Sequence, residues 1–148
     1  GPLGCMGVGV PFAIGSKVAY PDRQVVLISG DGAVGMNLME FESAVRHNIP
    51  FLCIVCNDKS WGMTKHQHWL NYGKENTPAG HEMPFIKFHE IVKSMGGYGE
   101  LVEDPKDLIP AIERSIKSGL PSLINVLTNP DATSAATHAI TAMMTPKE

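Results

Sequence analysis

Four short apolar runs constrain this chain most: residues 24–29 (QVVLIS), 51–56 (FLCIVC), Tyr98–Val102 (YGELV) and 121–127 (PSLINVL). They favour β-branched residues and do not alternate between apolar and polar side chains. Stretches with helical periodicity separate them. Strands of that kind, joined by helices, predict a parallel sheet covered on both faces, a three-layer α/β/α domain.

The helical stretches have recognisable ends. Residues 8–20 read as a helix entered through Pro11, whose missing N–H has no partner in a first turn. Residues 37–47 give the clearest pattern, with Asn37 as cap, Glu40 at the reciprocating position and Leu38, Phe41 and Val45 on one face. Asn48 and Pro50 stop it. Residues 85–95 place Phe88, Ile91, Val92 and Met95 inward, closed by Gly96. A last helix ends near Gly119 with Ile109, Ile112 and Ile116 on its packed side. It starts after Asp104 or only at Asp107, the later start being favoured by Pro110. Residues 129–148 are Ala/Thr-rich without a clear period and read as a tail to a domain spanning 1–128.

The 148 residues make one ordinary domain, and 18% charged with 43% apolar residues is a globular balance. Twelve basic against 15 acidic side chains give no reason to expect a nucleic-acid or membrane-surface partner. No apolar run is long enough to span a bilayer, and no signal-peptide pattern opens the chain. Three cysteines cannot all pair within one chain, which points to a reducing, cytoplasmic compartment. Cys53 and Cys56 form a C-x-x-C, but on a strand their odd spacing sends them to opposite faces, so a redox role is not expected. Gly7-Val8-Gly9 follows no strand and lacks the third glycine of a dinucleotide loop. His66-x-His68 reads as an exposed pair rather than a metal site, and Met36 and Met39 read as packing residues.

In an open parallel sheet, ligands bind beyond the carboxyl ends of the strands. The first strand ends in Gly30-Asp31-Gly32, the second in Asn57-Asp58-Lys59-Ser60-Trp61-Gly62-Met63. Taken singly, each is an ordinary turn or helix entry. Together, one helix and one strand apart, they deliver two carboxylates to the same edge. Oxygen ligands beside small glycines suit a hard cation such as Mg²⁺ carrying a phosphate, with backbone N–H groups free to approach its oxygens.

The stretch GDGAVGMNLMEFESAVRHNIPFLCIVCND, with LGCMGVGVPFAIG, NDKSWGM and the closing PSLINV, resembles the C-terminal, diphosphate-binding domain of thiamine-diphosphate-dependent enzymes, in the acetolactate synthase and benzaldehyde lyase branch. The resemblance runs from about Leu3 to Thr128. It implies thiamine diphosphate and Mg²⁺ as cofactors. Asp31 matches the first metal ligand and Asp58 the second, a position usually occupied by Asn. Ser60 matches the residue whose carbonyl completes the protein ligands. Gly30, Asp31, Gly32, Ala33, Asp58, Gly62 and Met63 match positions around the diphosphate. Gly4, Cys5 and Met6 match the segment that holds the aminopyrimidine ring, with Met6 resembling the apolar prop for the bent cofactor. Gln67 stands where acetolactate synthases carry a Trp that shapes the acceptor pocket. Trp69 is out of register with it, and His66 and His68 fall at the pocket mouth.

The same resemblance implies carbon–carbon bond chemistry on a 2-oxo acid, aldehyde or acyloin. It also implies a pyrimidine-binding domain on the same or another chain and a homo-oligomer. The activating glutamate of the family lies in that other domain, and no residue here matches it, so no catalytic residue is assigned. A strand and helix usually precede the opening segment. The sheet is therefore expected to be truncated at its N-terminal side, with an edge that wants a partner. The competing reading is a non-catalytic cofactor-binding or assembly module serving a separate catalytic chain.

Overall fold

The structure is a computed structural model that describes residues 4–77, 79–133 and 135–144. Leu3, where the resemblance begins, and residues 145–148 of the expected tail lie outside the described residues. The chain forms two compact units, one of Gly1–Asn57 with Lys87–Thr128, the other of Asp58–Ile86 with Asn129–Glu148.

The first unit holds the sheet. In chain order it contains α1 (Gly9–Ala19), β1 (Val26–Gly30), α2 (Asp31–Met36), α3 (Glu40–Arg46), β2 (Leu52–Asn57), α5 (Phe88–Ser94), β3 (Tyr98–Val102), α6 (Leu108–Ser118) and β4 (Ser122–Leu127). The second unit contributes α4 (Gly62–Tyr72) and α7 (Ala135–Met144). The strands run parallel in the order β1-β2-β4-β3. None of the described helices is long and apolar enough to cross a membrane.

Side-chain alternation sorts the sheet into two faces. On one, Leu52, Ile124 and Val102 pack with Ala111 of α6 into a fully buried cluster. Arg114 of α6 also pairs with Glu100 of β3 on this face. On the other, Asn125 of β4 meets His89 of α5, and Leu27 of β1 sits where a Cβ on Gly9 of α1 would stand only 2.9 Å away. Helices therefore cover both faces, as the non-alternating strands require. Phe41 of α3 and Phe51 stack at 4.9 Å, both fully buried.

Several local expectations are corrected. Residues 31–36 form α2, where the sequence predicts only a strand end and turn. Asn37 does not cap α3: its amide donates to the Gly7 carbonyl at 2.9 Å, and α3 begins at Glu40 with no side-chain cap. Glu40 serves no reciprocal cap, because its carboxylate faces Ser43 Oγ one turn on. α5 starts at Phe88 rather than at 85. Residues 105–107 form a separate 3₁₀ turn capped by Asp104, and α6 begins at Leu108, the later of the two starts. Its packed side is Leu108, Ala111, Ile112 and Ser115, so Ile112 faces the core as expected, while Ile109 and Ile116 are exposed. β1 is not a buried strand. It is the sheet edge, and Val26 and Ile28, 49% and 69% exposed, lie on the face that α6 covers only over the other strands.

Cys53 is fully buried and Cys56 exposed, as opposite faces demand. Burial pushes the Cys53 thiol up to about 12, which keeps it protonated and inert.

Candidate cofactor site

Within the sheet unit, β1 reaches Gly30 in extended conformation, and Asp31 is the first residue of α2. Asp31 is only 4% exposed, and its Oδ1 accepts the Gly32 N–H at 2.8 Å. Its position is dictated by chemistry, because a helix start leaves N–H groups unpaired and favours negative charge. Gly32 and Ala33 follow in the same turn. Gly4, Cys5 and Met6 belong to this unit too. Cys5 and Met6 are exposed, and Gly4 has the left-handed φ of 61°. The structure ties this segment to the turn after α2 through Gly7, where a Cβ would stand 2.9 Å from Met36 Cβ.

In the second unit, Asp58, Lys59 and Ser60 form an Asx turn in which the Ser60 N–H donates to Asp58 Oδ1 at 3.0 Å. Lys59 takes a left-handed φ of 58° to close it. The turn is pinned from outside: Met83 N–H donates to the Lys59 carbonyl and Trp61 N–H to the His81 carbonyl, each at 2.8 Å, and Ser60 bridges Glu82. These bonds hold residues 81–83 against the turn. Gly62 opens α4, and a Cβ there would come into collision with Asp58 Oδ2. Glycine at this position is what lets the carboxylate lie over the first turn of α4. Met63 is 71% exposed, and Gln67 is half-buried one helical turn further on.

His66 and His68 are not an exposed pair. His66 is buried with Nε2 2.8 Å from the Pro130 carbonyl, and His68 Nε2 lies 3.0 Å from the Asn76 carbonyl. Trp69 carries the ammonium groups of Lys74 and Lys65 over its ring at 4.6 and 5.1 Å. These residues brace α4 within its unit, where it also packs against α7, a helix formed by residues that show no period in the sequence.

Asp31 in the first unit and Asp58 in the second each offer donors of the kind that would fit a magnesium-bound diphosphate. They are hard carboxylate oxygens, and glycine at 62 lets the Asp58 carboxylate lie against the first turn of α4. Among the described residues no three His, Cys, Asp or Glu side chains gather to hold a metal. Asn57, the neighbour of Asp58, is 1% exposed, and its amide donates to Asn125 Oδ1 at 3.0 Å, so Asp58 is the half-exposed member of the pair. Sequence reasoning missed His89 and Asn125. The one sequence signal for them is Gly99, a glycine inside a strand, which marks a close backbone approach.

The family model described as "Thiamine pyrophosphate enzyme, C-terminal TPP binding domain" matches residues 1–126. The chain is 44% identical over 130 residues to a probable acetolactate synthase of Mycobacterium bovis, covering 88% of this chain and 23% of that protein. It is 35% identical over 135 residues to a 2-hydroxyacyl-CoA lyase of Oryza sativa, with 89% and 23% covered. Among solved structures, a thiamine diphosphate-dependent 4-hydroxybenzoylformate decarboxylase of Rhodococcus jostii superposes with a TM-score of 0.78 at 29% identity, over 86% of this chain and 24% of that one. The chain thus spans about a quarter of the length of the relatives it matches. With the parallel sheet and the Gly-Asp-Gly and Asn-Asp strand ends in place, it belongs to the C-terminal, thiamine pyrophosphate-binding domain family of acetolactate synthase-like enzymes.

Proposed function

We propose that this chain is the diphosphate-binding part of an enzyme that makes or breaks carbon–carbon bonds of 2-oxo acids or acyloins, with Mg²⁺ bridging protein and thiamine diphosphate. The observation that carries this is the placement of Asp31 and Asp58, the first residues after the parallel, adjacent strands β1 and β2. That is where an open sheet binds its ligand. Asp31, Asp58 and the Ser60 carbonyl hold the metal. Gly30, Gly32, Ala33, Gly62 and Met63 surround the diphosphate, and Gly4, Cys5 and Met6 support the pyrimidine ring. Gln67 tunes the acceptor pocket. When bound, thiamine diphosphate supplies a carbon nucleophile and an electron sink.

The partner is a pyrimidine-binding domain of the same or another chain, in a homo-oligomer. The exposed Val26 and Ile28 on edge strand β1 support an apolar partner surface in this unit. Three cysteines, which cannot all pair within one chain, support a reducing cytoplasm. The domain proper is 1–128, with 129–148 as a C-terminal extension.

Asp58 gives the experiment. Asp58→Asn keeps an oxygen both for the Ser60 N–H and for the metal, and is expected to bind Mg²⁺ and thiamine diphosphate within about tenfold of the wild type. Asp58→Ala removes both and should weaken binding on the order of 100-fold, the scale of losing a charge-assisted contact. Isothermal calorimetry with both variants checks this. Equal loss in Asn and Ala would remove Asp58 from the ligand set.

This chain alone is expected to be catalytically silent. Its acids near the cofactor, Asp31 and Asp58, are committed to the metal, and Glu40 is exposed on α3 beside Ser43. Neither aspartate is then left to protonate the pyrimidine, a task the resemblance gives to the pyrimidine-binding domain, which would also supply preorganisation and water exclusion. NMR of the cofactor C2 proton, with the chain and Mg²⁺ present, should show exchange at the rate of free cofactor. Clearly faster exchange would show that this chain carries its own proton-transfer group.

A further inference from the structure

The sheet unit buries a polar line that has no part in its hydrophobic packing. Asn57 at the end of β2, Asn125 in β4 and His89 in α5 are 1%, 0% and 6% exposed. Asn57 Nδ2 donates to Asn125 Oδ1 at 3.0 Å, and Asn125 Nδ2 lies 3.3 Å from His89 Nδ1. An amide nitrogen only donates, so His89 Nδ1 must be the acceptor and the ring proton sits on Nε2, which is 3.5 Å from Glu90 Oε1. The backbone is shaped for this contact. A Cβ on Gly99 of β3 would collide with the His89 carbonyl oxygen and stand 2.7 Å from its carbon. Only glycine there lets α5 settle low enough for the imidazole to reach Asn125. Asn57 is also held through its main chain, its carbonyl accepting the Thr128 N–H at 2.9 Å.

We propose that His89 is a positioning residue for the cofactor loop: as an acceptor it fixes the Asn125 amide, and Asn125 fixes Asn57, the residue from which the chain enters the Asp58–Ser60 turn. The functional half of this rests on the reading of Asp58 as a metal ligand given above. Protonation of His89 at Nδ1 puts a donor against the Asn125 NH₂. The amide must then turn its oxygen to the ring, which sets its NH₂ against the NH₂ of Asn57. One proton thus breaks the bond between Asn57 and Asn125, while the contact between the ring and Asn125 reverses direction.

Burial holds the His89 pKa below its ordinary 6.5, against the pull of Glu90 and with Lys93 and Lys87 adding to the depression. These three are the charged groups that face it, from α5 and the residue before it. β4 carries no titratable side chain, and Tyr98 and Glu100 of β3 belong to the α6 face. The sign follows: the line is intact above about pH 6.5 and is lost as pH falls through the lower folded-state value.

The test uses the isotope-labelled 148-residue chain. The side-chain amide signals of Asn57 and Asn125 and the His89 ring nitrogens are followed by NMR from about pH 8 to about pH 5, across the histidine range. The same is done for His89→Gln, whose amide oxygen accepts at every pH, and for His89→Leu, which cannot accept. Wild-type amides should shift with the His89 midpoint. In His89→Gln they should stay near their alkaline positions throughout, and in His89→Leu the Asn57 amide should exchange faster with solvent. Calorimetry with Mg²⁺ and thiamine diphosphate at the alkaline end should then show His89→Gln within about twofold of wild type and His89→Leu weakened about fivefold, the scale of one buried hydrogen bond. Amide signals that stay fixed while the imidazole titrates would overturn the proposal, as would a His89→Leu chain matching wild type in both Asn57 exchange and affinity. A wild-type chain that binds no cofactor would defeat the ligand reading of Asp58, and the amide signals would still decide the His89 line.

Discussion

Asp31→Ala is expected to weaken Mg²⁺-dependent binding of thiamine diphosphate on the order of 100-fold and to lower stability by only about 1 kcal/mol. The two effects separate because of where the carboxylate sits. Within the fold it accepts the N–H of the adjacent Gly32, at the first turn of α2. Losing that bond is comparable to losing a helix cap. Toward the cofactor, by contrast, the same carboxylate is the proposed charged ligand at the end of β1, and alanine would offer a metal nothing in its place. Calorimetry for affinity and urea unfolding for stability measure the two terms on one preparation. Unchanged affinity in a folded Asp31→Ala chain would remove Asp31 from the metal site.

The second large effect falls on the fold. Gly99→Ala should destabilise the sheet unit by about 3 kcal/mol or more, at the upper end for overpacking a core, because the clash is with backbone and not with the tip of a flexible side chain. The carbonyl oxygen, carbonyl carbon and Cα of His89 all lie within 3.0 Å of the new methyl, so α5 must lift from the sheet. A domain of this size is stable by only about 5–15 kcal/mol in total, and the loss should be plain as a fall in the urea midpoint. Gly15→Ala provides the contrast. Gly15 lies in α1, and nothing stands within 4 Å of a methyl placed on it, so the same substitution should be neutral or raise stability by up to about 1 kcal/mol. Equal midpoints for the two variants would show that α5 does not sit on β3 at Gly99.

Much of the architecture is legible in the sequence because apolar runs and their punctuation carry it. Tyr98–Val102 is a strand to the residue, and Gly96, with a φ of 92°, does end α5. What escapes has physical causes. α2 contains two glycines in six residues, so propensity argues against it, and its stability comes from its place after β1. Asn37 looks like a cap in sequence, but a carbonyl 30 residues away, on Gly7, takes its amide. Ile109 and Ile116 follow a helical period yet face outward, since period alone does not say which side of an amphipathic helix a neighbour covers. At the site, Asp31, Asp58 and Gly62 are legible as a motif. The Asn57–Asn125–His89 line is not, because it depends on strand register across 68 and 36 residues of chain.

Recognition of a diphosphate through magnesium is tested most directly by isothermal calorimetry of the 148-residue chain with thiamine diphosphate and with thiamine, each with Mg²⁺ and with a chelator. Saturable binding is expected for thiamine diphosphate with Mg²⁺, and none for thiamine or in the chelated samples. Binding that persists without Mg²⁺, or thiamine bound as tightly as its diphosphate, would contradict a magnesium-bridged site.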